Sequence, residues 1–384
     1  MNEVKIQSDA IEQQNIIHGD CLEVMRTYAD NHFSGVVTDP PYGLKFMGKA
    51  WDHGLPPIEV WQEALRICKP GSFMLCFGGT RTYHRLACSI EDAGFEIRDC
   101  MMWLYGSGFP KSHNFGRSMG GEWSGFGSAL KPAWEPIIVA MKPLDGTFAQ
   151  NADKWGVAGL NIDASRISTN EMLGRPTSTA PNKIYSPLGC NGWNDNSTGK
   201  GRWPANLLLD ESAAQQLDQM TGVSKSSNIP RKRQIMSSKG VSGGAFGNPE
   251  KIIHGHHGHS YGFSDSGGAS RFFYCAKASS SERNEGCEGI PDKTTHRYGE
   301  KAQGPLPQQT PSKGVIEKNN HPTVKPLKLM QYLLRLIAPP SGGIILDPFA
   351  GSGSTCVAAK RLGIECVGIE KSDDYCQIAR ARLT

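Results

Sequence analysis

The sequence of 384 residues lacks a long apolar run. No window approaches the roughly 18 consecutive apolar residues that a membrane-spanning helix needs. The opening residues MNEVKIQSDA contain no apolar core of the kind that a secretory signal peptide carries. We therefore expect a cytoplasmic protein that has no membrane partner.

A cysteine pattern typical of disulfides or of zinc is also missing. The 11 cysteines are an odd number, and no two of them form a CxxC pair. Several lie inside apolar segments, such as Cys76 and Cys366, where a free thiol behaves as a small hydrophobic side chain. We expect free thiols in a reducing compartment.

Neither sign of charge is in large excess. Lys and Arg number 41 and Asp and Glu number 37, which gives a formal net charge of +4. This balance permits an anionic partner but does not require one. The 45 glycines and 24 prolines are more than average usage, and their excess in the middle of the chain predicts long loops there.

Both ends of the chain alternate between short apolar runs and runs with helical spacing. Strand-like runs alternating with helices indicate βαβ units and a mainly parallel sheet, so we predict a doubly wound α/β fold. The expected strands are 15–19, 35–39, 71–79, 95–106, 135–143, 343–349 and 364–370, and the expected helices are 56–71, 81–95, 325–343, 351–363 and 373–383.

The middle of the chain, about 151–320, has little periodicity and is rich in Gly, Ser, Asn, Thr and Lys. A structureless connection of this length is improbable inside a compact domain. We therefore predict an irregular insertion with a small core of its own and with mobile parts near 222–250 and 291–320. We assign its aromatic residues to that core, namely Trp193, Trp203, Phe272, Phe273 and Tyr274.

The segment VVTDPPYG at 36–43 is a strand that ends in a rigid polar tip. Two adjacent prolines offer no N–H to a sheet and fix φ, so the chain after Asp39 has few conformations. A fixed carboxylate beside the ring of Tyr42 suggests a clamp for a flat molecule. A stiff strand-to-loop turn explains the tetrapeptide equally well by itself.

A second segment, DPFAGSGST at 347–355, leaves a buried strand and opens a helix. Gly351 and Gly353 permit a tight turn, and the helix N-terminus offers free N–H groups to a cofactor. One strand later, Glu370 stands 19 residues after Gly351, where an acidic side chain can bind ribose hydroxyls. The alternatives are an ordinary strand–turn–helix and a surface glutamate.

Taken together, DPPY at 39–42, NHPTVKP at 320–326, DPFAGSGST and VGIE at 367–370 resemble the amino-DNA methyltransferases that use S-adenosylmethionine. The DPPY segment comes first and the glycine-rich segment last, with the insertion between them, which resembles the β-class order. Softer similarities at 125–143 and 271–279 point to a subgroup common in phages and prophages.

This resemblance implies a Rossmann-like methyltransferase fold with permuted motifs in three parts. Residues 1–150 would form the catalytic half, 151–320 the partly loop-rich target-recognition insertion, and 321–384 the cofactor-binding half. The implied reaction transfers a methyl group to an exocyclic amine of a base that has been flipped out of double-stranded DNA.

The DPPY segment then acquires a chemical role. The Asp39 carboxylate and the Pro40 carbonyl would accept the hydrogens of the amine, which increases electron density on its nitrogen. Pro40 and Pro41 would hold both acceptors still, and the Tyr42 ring would stack on the base.

The resemblance also supplies a cofactor pocket. Asp20 would approach the adenine amino group of S-adenosylmethionine, or alternatively serve as a helix N-cap. Glu370 would hold the ribose, and the HPTVKP segment would pack beside the methionine end. The residues assigned to the cofactor are Asp20, Cys21, His321, Thr323, Lys325, Asp347, Phe349, Gly351, Gly353, Ser354 and Glu370.

Two clusters in the insertion invite other interpretations. HGHHGH at 254–259 has a spacing that fits no standard zinc site, so we expect a polar loop and no metal. The basic triplet RKR at 231–233 suits contact with a DNA backbone or plain solvation.

The sequence thus predicts a site-specific DNA methyltransferase acting on N6 of adenine, because Asp at the first DPPY position favours adenine within this family. Cytosine N4 is the first alternative, followed by RNA or protein glutamine as substrate and by an inactive DNA-binding homologue. The resemblance allows a homodimer and leaves open whether a cognate restriction enzyme exists.

Overall fold

The computed structural model describes residues 16–44, 52–108, 110, 112–169, 201–225, 266–276, 282, 284–291, 293–295, 315–321 and 323–384. The histidine cluster at 254–259, the triplet at 231–233 and Trp193 lie outside these residues, so the interpretations given for them stay predictions.

Thirteen strands and nine α-helices form in the described residues. The strands are β1 (Ile16–His18), β2 (Phe33–Thr38), β3 (Cys68–Phe77), β4 (Glu96–Leu104), β5 (Trp134–Met141), β6 (Leu207–Asp210), β7 (Ser224–Lys225), β8 (Ser266–Gly267), β9 (Tyr274–Ala276), β10 (Lys293–Thr295), β11 (Val315–Glu317), β12 (Ile345–Asp347) and β13 (Cys366–Glu370). The helices are α1 (Cys21–Met25), α2 (Ile58–Ile67), α3 (Tyr83–Asp92), α4 (Phe115–Ser118), α5 (Phe148–Trp155), α6 (Glu211–Thr221), α7 (Leu327–Ile337), α8 (Ser354–Leu362) and α9 (Asp373–Leu383). Every strand and helix predicted for the two ends of the chain is present.

Nine strands form one sheet in the order β1-β13-β12-β2-β3-β5-β4-β6-β9. Only β5 runs antiparallel to its neighbours, and the remaining pairings are parallel. The predicted mainly parallel sheet is therefore confirmed. Along the chain, β12 is followed by β13 on one side of it in the sheet, and β2 is followed by β3 on the opposite side. The strand order therefore reverses between β12 and β2, which is the position where doubly wound sheets bind ligands.

Apolar helices cover both faces of this sheet. On one face α7 packs with α8 and α9, and its Leu333 and Leu334 are fully buried. On the other face α1, α2 and α3 bury Met25, Trp61 and Leu86 completely. All six residues of β2 are buried, as expected for a central parallel strand covered on both sides. This sandwich fixes the carboxyl edge of the sheet from which the site is built.

The insertion does not fold entirely around a core of its own, so that expectation is wrong for its described strands. From within 151–320, β6 pairs with β4 and β9 pairs with β6, so both extend the main sheet at its edge. Edge strands present unpaired N–H and C=O groups, which such an addition satisfies. The boundaries at 150 and 320 stay a prediction.

The aromatic residues assigned to an insertion core also behave differently. Trp203 and Phe272 are 49% and 41% exposed. Arg166 lies over the Trp203 ring, and Arg271 lies over the Phe272 ring. The ring of Tyr274 stacks instead on Tyr332 of α7 at 4.0 Å between centroids, so it belongs to the main core. Sequence alone did not show that β9 carries Tyr274 to α7.

All ten cysteines of the described residues are free thiols, and Cys76 and Cys366 are buried as predicted. Among the helices that the structure describes, none has the length and apolar character to cross a membrane.

The buried side chain of Asn151 anchors α5 to the sheet. It donates to the carbonyls of Pro70 and Val157 and accepts from the amide of Asp145. Replacing Asn151 with Ala leaves three backbone groups without this partner, and the Val157 carbonyl among them is buried. We expect the free energy of unfolding to fall by about 2–3 kcal/mol, measured by urea denaturation. Asp153→Ala, at an exposed position of the same helix, is the control, and equal midpoints for both variants would contradict this assignment.

Candidate functional site

A cavity of about 1830 Å³ opens at the carboxyl edge of the sheet, beside the point where the strand order reverses. It is lined by the turns that follow β1, β2, β12 and β13 and by the beginning of β5. The structure brings all of the predicted site residues except Gly353 to the lining of this one cavity. Residues from both ends of the chain therefore share a single site.

One end of the cavity is formed by the glycine turn, residues 350–354. Gly351 has φ of 53°, and a Cβ there would lie 2.8 Å from Nε2 of His321, so only glycine fits without displacement. The Gly351 amide donates to Oε2 of Glu370 at 2.9 Å, and the Ser372 amide donates to Oε1 at 2.7 Å. Burial raises the pKa of Glu370, although these amides oppose the effect. The predicted ribose ligand is thus held in a fixed orientation.

Gly353 permits the tight turn, as predicted, and its contact with a cofactor stays a prediction. Its φ is 77°, and a Cβ would approach Cβ of Ala379 to 2.9 Å, so its lack of a side chain lets α9 pack against the turn. Arg382 of α9 donates to the Ser352 carbonyl at 2.7 Å and to Oγ of Ser354 at 3.3 Å. The last helix therefore supports the glycine turn from the side away from the cavity.

Asp347 is a deeply buried carboxylate of the site, at 2% exposure. Thr38 donates to its Oδ1 at 2.7 Å, Thr355 donates to its Oδ2 at 2.5 Å, and the Phe349 amide donates to Oδ1 at 3.1 Å. Burial raises the pKa of Asp347 to about 6, and the hydroxyl donors oppose a larger rise. Sequence reasoning missed both threonines, although Thr38 directly precedes the DPPY segment.

The turn after β1 carries Asp20 and Cys21. Asp20 is the N-cap of α1 and accepts from the Leu22 amide at 3.0 Å, so the capping interpretation is confirmed. Burial alone would raise the pKa of Asp20, but hydrogen bonds from Lys371 and Leu22 lower it. Burial and the neighbouring Asp20 charge raise the pKa of Cys21 to about 12, which keeps its thiol neutral. The predicted contact of Asp20 with adenine stays a prediction.

The DPPY segment, residues 39–42, is fixed by a carboxylate that the sequence analysis overlooked. Asp52 is buried, and it accepts hydrogen bonds from the backbone amides of Tyr42, Gly43 and Leu44 at 2.7, 2.8 and 3.2 Å. The Thr82 hydroxyl also donates to the Tyr42 carbonyl at 2.8 Å. These bonds add to the stiffness that the two prolines provide.

The Asp39 carboxylate is engaged on both oxygens. The Tyr42 hydroxyl donates to Oδ1 at 2.6 Å, and the Lys325 ammonium donates to Oδ2 at 2.7 Å. The same ammonium lies 3.2 Å from Oε2 of Glu135, a residue that sequence reasoning missed. These four side chains form one network beside the glycine turn.

Burial and the two carboxylates together set the ionisation states of Lys325 and Tyr42 in this network. Burial by itself would lower the pKa of Lys325, but the carboxylates of Asp39 and Glu135 outweigh it and raise that pKa, so the side chain is an ammonium. Burial and the same two carboxylates raise the pKa of Tyr42 well above its ordinary value, so its hydroxyl keeps its proton.

The HPTVKP segment connects the two ends of the cavity. We expected His321, Thr323 and Lys325 beside the methionine end of a cofactor. His321 does lie at the glycine turn, where its ring contacts the Tyr375 ring at 4.6 Å. Lys325 reaches the DPPY segment, where two carboxylates compensate its buried charge. The position of these three residues beside the methionine end stays a prediction.

Fold and site together define a doubly wound α/β protein whose ligand cavity lies at the reversal of strand order. The family model described as DNA methylase, of the N6/N4 type, matches residues 33–381. The chain belongs to this family of DNA methylases.

Curated relatives match over shorter segments. The type II methyltransferase M2.DpnII of Streptococcus pneumoniae is 49% identical over 70 residues, which is 18% of this chain and 26% of the relative. YubD of Escherichia coli (strain K12), described as a methylase, is 47% identical over 64 residues, which is 17% of this chain and 28% of the relative. The match thus spans about a quarter of the length of each relative.

Solved structures are similar at greater distance. M1.HpyAVI aligns with 96% of this chain and 98% of its own at 14% identity, with a TM-score of 0.42. The PvuII DNA methyltransferase, which is cytosine-N4-specific, aligns with 96% of this chain and 86% of its own at 14% identity, with a TM-score of 0.45. Neither similarity is close enough to support an argument about this chain.

The raised pKa of Asp347 predicts a distinct pH dependence of stability. Because the folded protein binds this proton up to about pH 6 and the unfolded chain only to about pH 4, the contribution of Asp347 to stability falls as pH rises between these values. Two pKa units correspond to about 3 kcal/mol. We expect Asp347→Asn to abolish this fall, measured as the urea unfolding free energy from about pH 4 to about pH 7.

Asp153→Asn, which removes an exposed carboxylate, is the control and should keep the wild-type slope. The asparagine at 347 can accept fewer hydroxyl bonds than the carboxylate, but that loss is constant with pH. An unchanged slope in Asp347→Asn would show that Asp347 titrates normally.

Proposed function

We propose that this protein is a site-specific DNA methyltransferase that transfers a methyl group from S-adenosylmethionine to N6 of an adenine flipped out of double-stranded DNA. One observation supports it above all. In a chain that belongs to the DNA methylase family, the rigidly held carboxylate of Asp39 shares a cavity with the glycine turn and Glu370.

The residues of the glycine-turn end fit the proposed cofactor. Gly351 keeps the turn open to a ligand, and Glu370 stands at the carboxyl end of β13, where ribose hydroxyls are bound in doubly wound folds. Above about pH 6 Asp347 is a buried anion that a bound cation would stabilise. S-adenosylmethionine carries such positive charge and supplies a methyl group bound to a sulfonium sulfur.

The cavity is large enough to hold two ligands, a cofactor and a nucleotide. Its volume of about 1830 Å³ exceeds the roughly 300–1,000 Å³ of sites for a single small molecule. Beyond the DPPY segment the cavity is lined by Tyr105, Leu130, Lys131 and Trp134. Leu130 is 92% exposed, and Lys131 is an exposed cation. Aromatic, apolar and cationic side chains of this kind suit a nucleotide.

The DPPY segment would activate the amine. Its nitrogen is a poor nucleophile because its lone pair is delocalised into the ring of the base. Asp39 would accept one of its hydrogens and the Pro40 carbonyl the other, and acceptors that do not move act by electrostatic preorganisation. The Tyr42 ring would stack on the base, which is worth about 1–3 kcal/mol. The proposed methyl transfer requires no metal ion.

Adenine is the proposed target because Asp39 occupies the first position of the DPPY segment. Insertion residues would read the recognition sequence, since base-edge contacts specify a site whereas phosphate contacts only position the protein. A homodimer on double-stranded DNA is consistent with this assignment.

The proposed function is tested by single-molecule sequencing of genomic DNA from a methylation-deficient host that expresses the chain. We expect modified adenine at one short motif. Asp39→Ala should abolish the signal, because removing a preorganised hydrogen-bonding group at a reaction centre costs about 100- to 1,000-fold in rate. Asp153→Ala is the matched control and should leave the signal intact.

Cytosine modification at one motif would keep the mechanism and overturn adenine as the target. Absence of any modified base from a folded chain that binds S-adenosylmethionine would overturn DNA as the substrate. A wild-type signal from Asp39→Ala would overturn the role of the DPPY segment.

The cofactor site is tested separately by Gly351→Val. The branched side chain would collide with His321 at a positive φ, so the turn must move. We expect titration calorimetry with S-adenosylmethionine to show at least about a hundredfold loss of affinity, because the turn is the proposed binding surface. Gly159→Val, at a position with no neighbour within 4 Å, should bind as the wild type does. Equal affinity of both variants would place the cofactor elsewhere.

A further inference from the structure

We propose that the Lys325 ammonium occupies the place of the target amine in the absence of DNA, and that Glu135 receives this ammonium when the target nucleotide enters. The inference rests on the proposed function, because it assumes that an amine is brought to Asp39. It assigns Glu135 and Lys325 as positioning residues that control access to Asp39.

Lys325 makes two of the three contacts that are proposed for the target base. Its Nζ lies 2.7 Å from Oδ2 of Asp39, which is a distance at which an N–H donor binds a carboxylate. The same nitrogen lies over the Tyr42 ring, 5.6 Å from the centroid. An amine that binds Asp39 on a base stacked against Tyr42 would compete with the ammonium for both.

The remaining oxygen of Asp39 offers no easier approach. Its Oδ1 already accepts the Tyr42 hydroxyl at 2.6 Å. The Lys325 side chain is only 8% exposed, and Nζ also lies 4.7 Å from the centroid of the Phe77 ring. Target entry therefore requires the ammonium to move.

Glu135 lies close enough to bind the Lys325 ammonium after a small movement of that side chain. Its Oε2 is 3.2 Å from Nζ of Lys325, and its side chain is 23% exposed. A buried ammonium is strongly disfavoured without a partner, so release from Asp39 needs a second anion within reach. Lys325 can remain paired with Glu135 while Asp39 becomes available to the amine.

Two carboxylates around one ammonium would also keep Lys325 from accepting the methyl group. An ammonium has no lone pair, and both carboxylates favour the charged form. The occupied state is therefore a resting state of the site. The amine of a DNA base is not positively charged. It can replace the ammonium at Asp39 only when the ammonium has another partner.

The inference predicts that Glu135→Gln weakens target engagement through Lys325. A neutral amide is a poorer partner than a carboxylate, so the ammonium would stay on Asp39 for a larger fraction of the time. The apparent affinity for a target falls by the fraction of competent protein. We expect the KM for a duplex containing the identified motif to rise about tenfold, more than kcat falls, with unchanged affinity for S-adenosylmethionine by calorimetry.

A double-mutant cycle distinguishes this mechanism from direct contact of Glu135 with DNA. In Lys325→Met the ammonium is absent, so adding Glu135→Gln should change the KM for DNA by less than about twofold. Lys328→Met is the matched control, because it makes the same substitution at an exposed position on the first turn of α7 and should keep wild-type kinetics.

A cooperative urea unfolding transition establishes that each variant is folded. Lys325→Met leaves two carboxylates without their cation, which can perturb the site. Glu135→Asp therefore provides a second test, because it keeps Lys325 and the negative charge but shortens the side chain. Its KM should lie between those of the wild type and Glu135→Gln, and a wild-type value in both Glu135 variants would overturn the inference. An equal increase from Glu135→Gln in the Lys325→Met background would overturn it as well.

The wild type is the positive control for the proposed function. If it transfers no methyl group to DNA, the proposed function fails and the cycle is not interpreted as evidence on Lys325. If the wild type is active and the cycle is additive, only the inference fails.

Discussion

The hydrogen bond from Thr38 to Asp347 joins two residues 309 positions apart at the centre of the sheet. It exists because β12 pairs in parallel with β2, with Ile345 opposite Gly35. Parallel pairing places the carboxyl ends of both strands at the same edge, so the DPPY segment and the glycine turn emerge side by side. The cavity, its two ends and the charges between them all depend on this pairing.

A second constraint is the compensation of buried charge. The site contains Asp39, Asp52, Asp347, Glu135 and Glu370, and each is held by named hydrogen-bond donors. Backbone amides hold Asp52 and Glu370, hydroxyls hold Asp347, and Lys325 serves Asp39 and Glu135 together. Donors that are fixed by the fold keep the carboxylates in place, which is the property that electrostatic preorganisation requires. Lys325 is a donor on a long flexible side chain, and it contacts the residue proposed to act on the base.

The sheet is larger than the strands predicted for the two ends of the chain would make it, because β6 and β9 of the insertion extend it. This addition fixes Asp210 near the end of β4, where its Oδ1 accepts from the Gly106 amide at 3.2 Å. The insertion is thereby attached to the strand that leads to Tyr105 at the cavity. Sequence periodicity did not reveal this, because each of these strands has only three or four residues. Whether a short apolar run pairs with a sheet depends on partners that are distant in sequence.

The sequence by itself determined the alternating elements, the doubly wound fold class and the positions of the DPPY segment and the glycine turn at two strand ends, because hydrophobic period, prolines and glycines act locally. Nearly all of the site residues that it predicted do line the cavity. Only the tertiary structure decided that Lys325 contacts Asp39, that Glu135 and Asp52 belong to the site, and that Gly353 faces α9. These outcomes depend on distances between side chains far apart in sequence, and on which buried charges find partners, which no local pattern encodes.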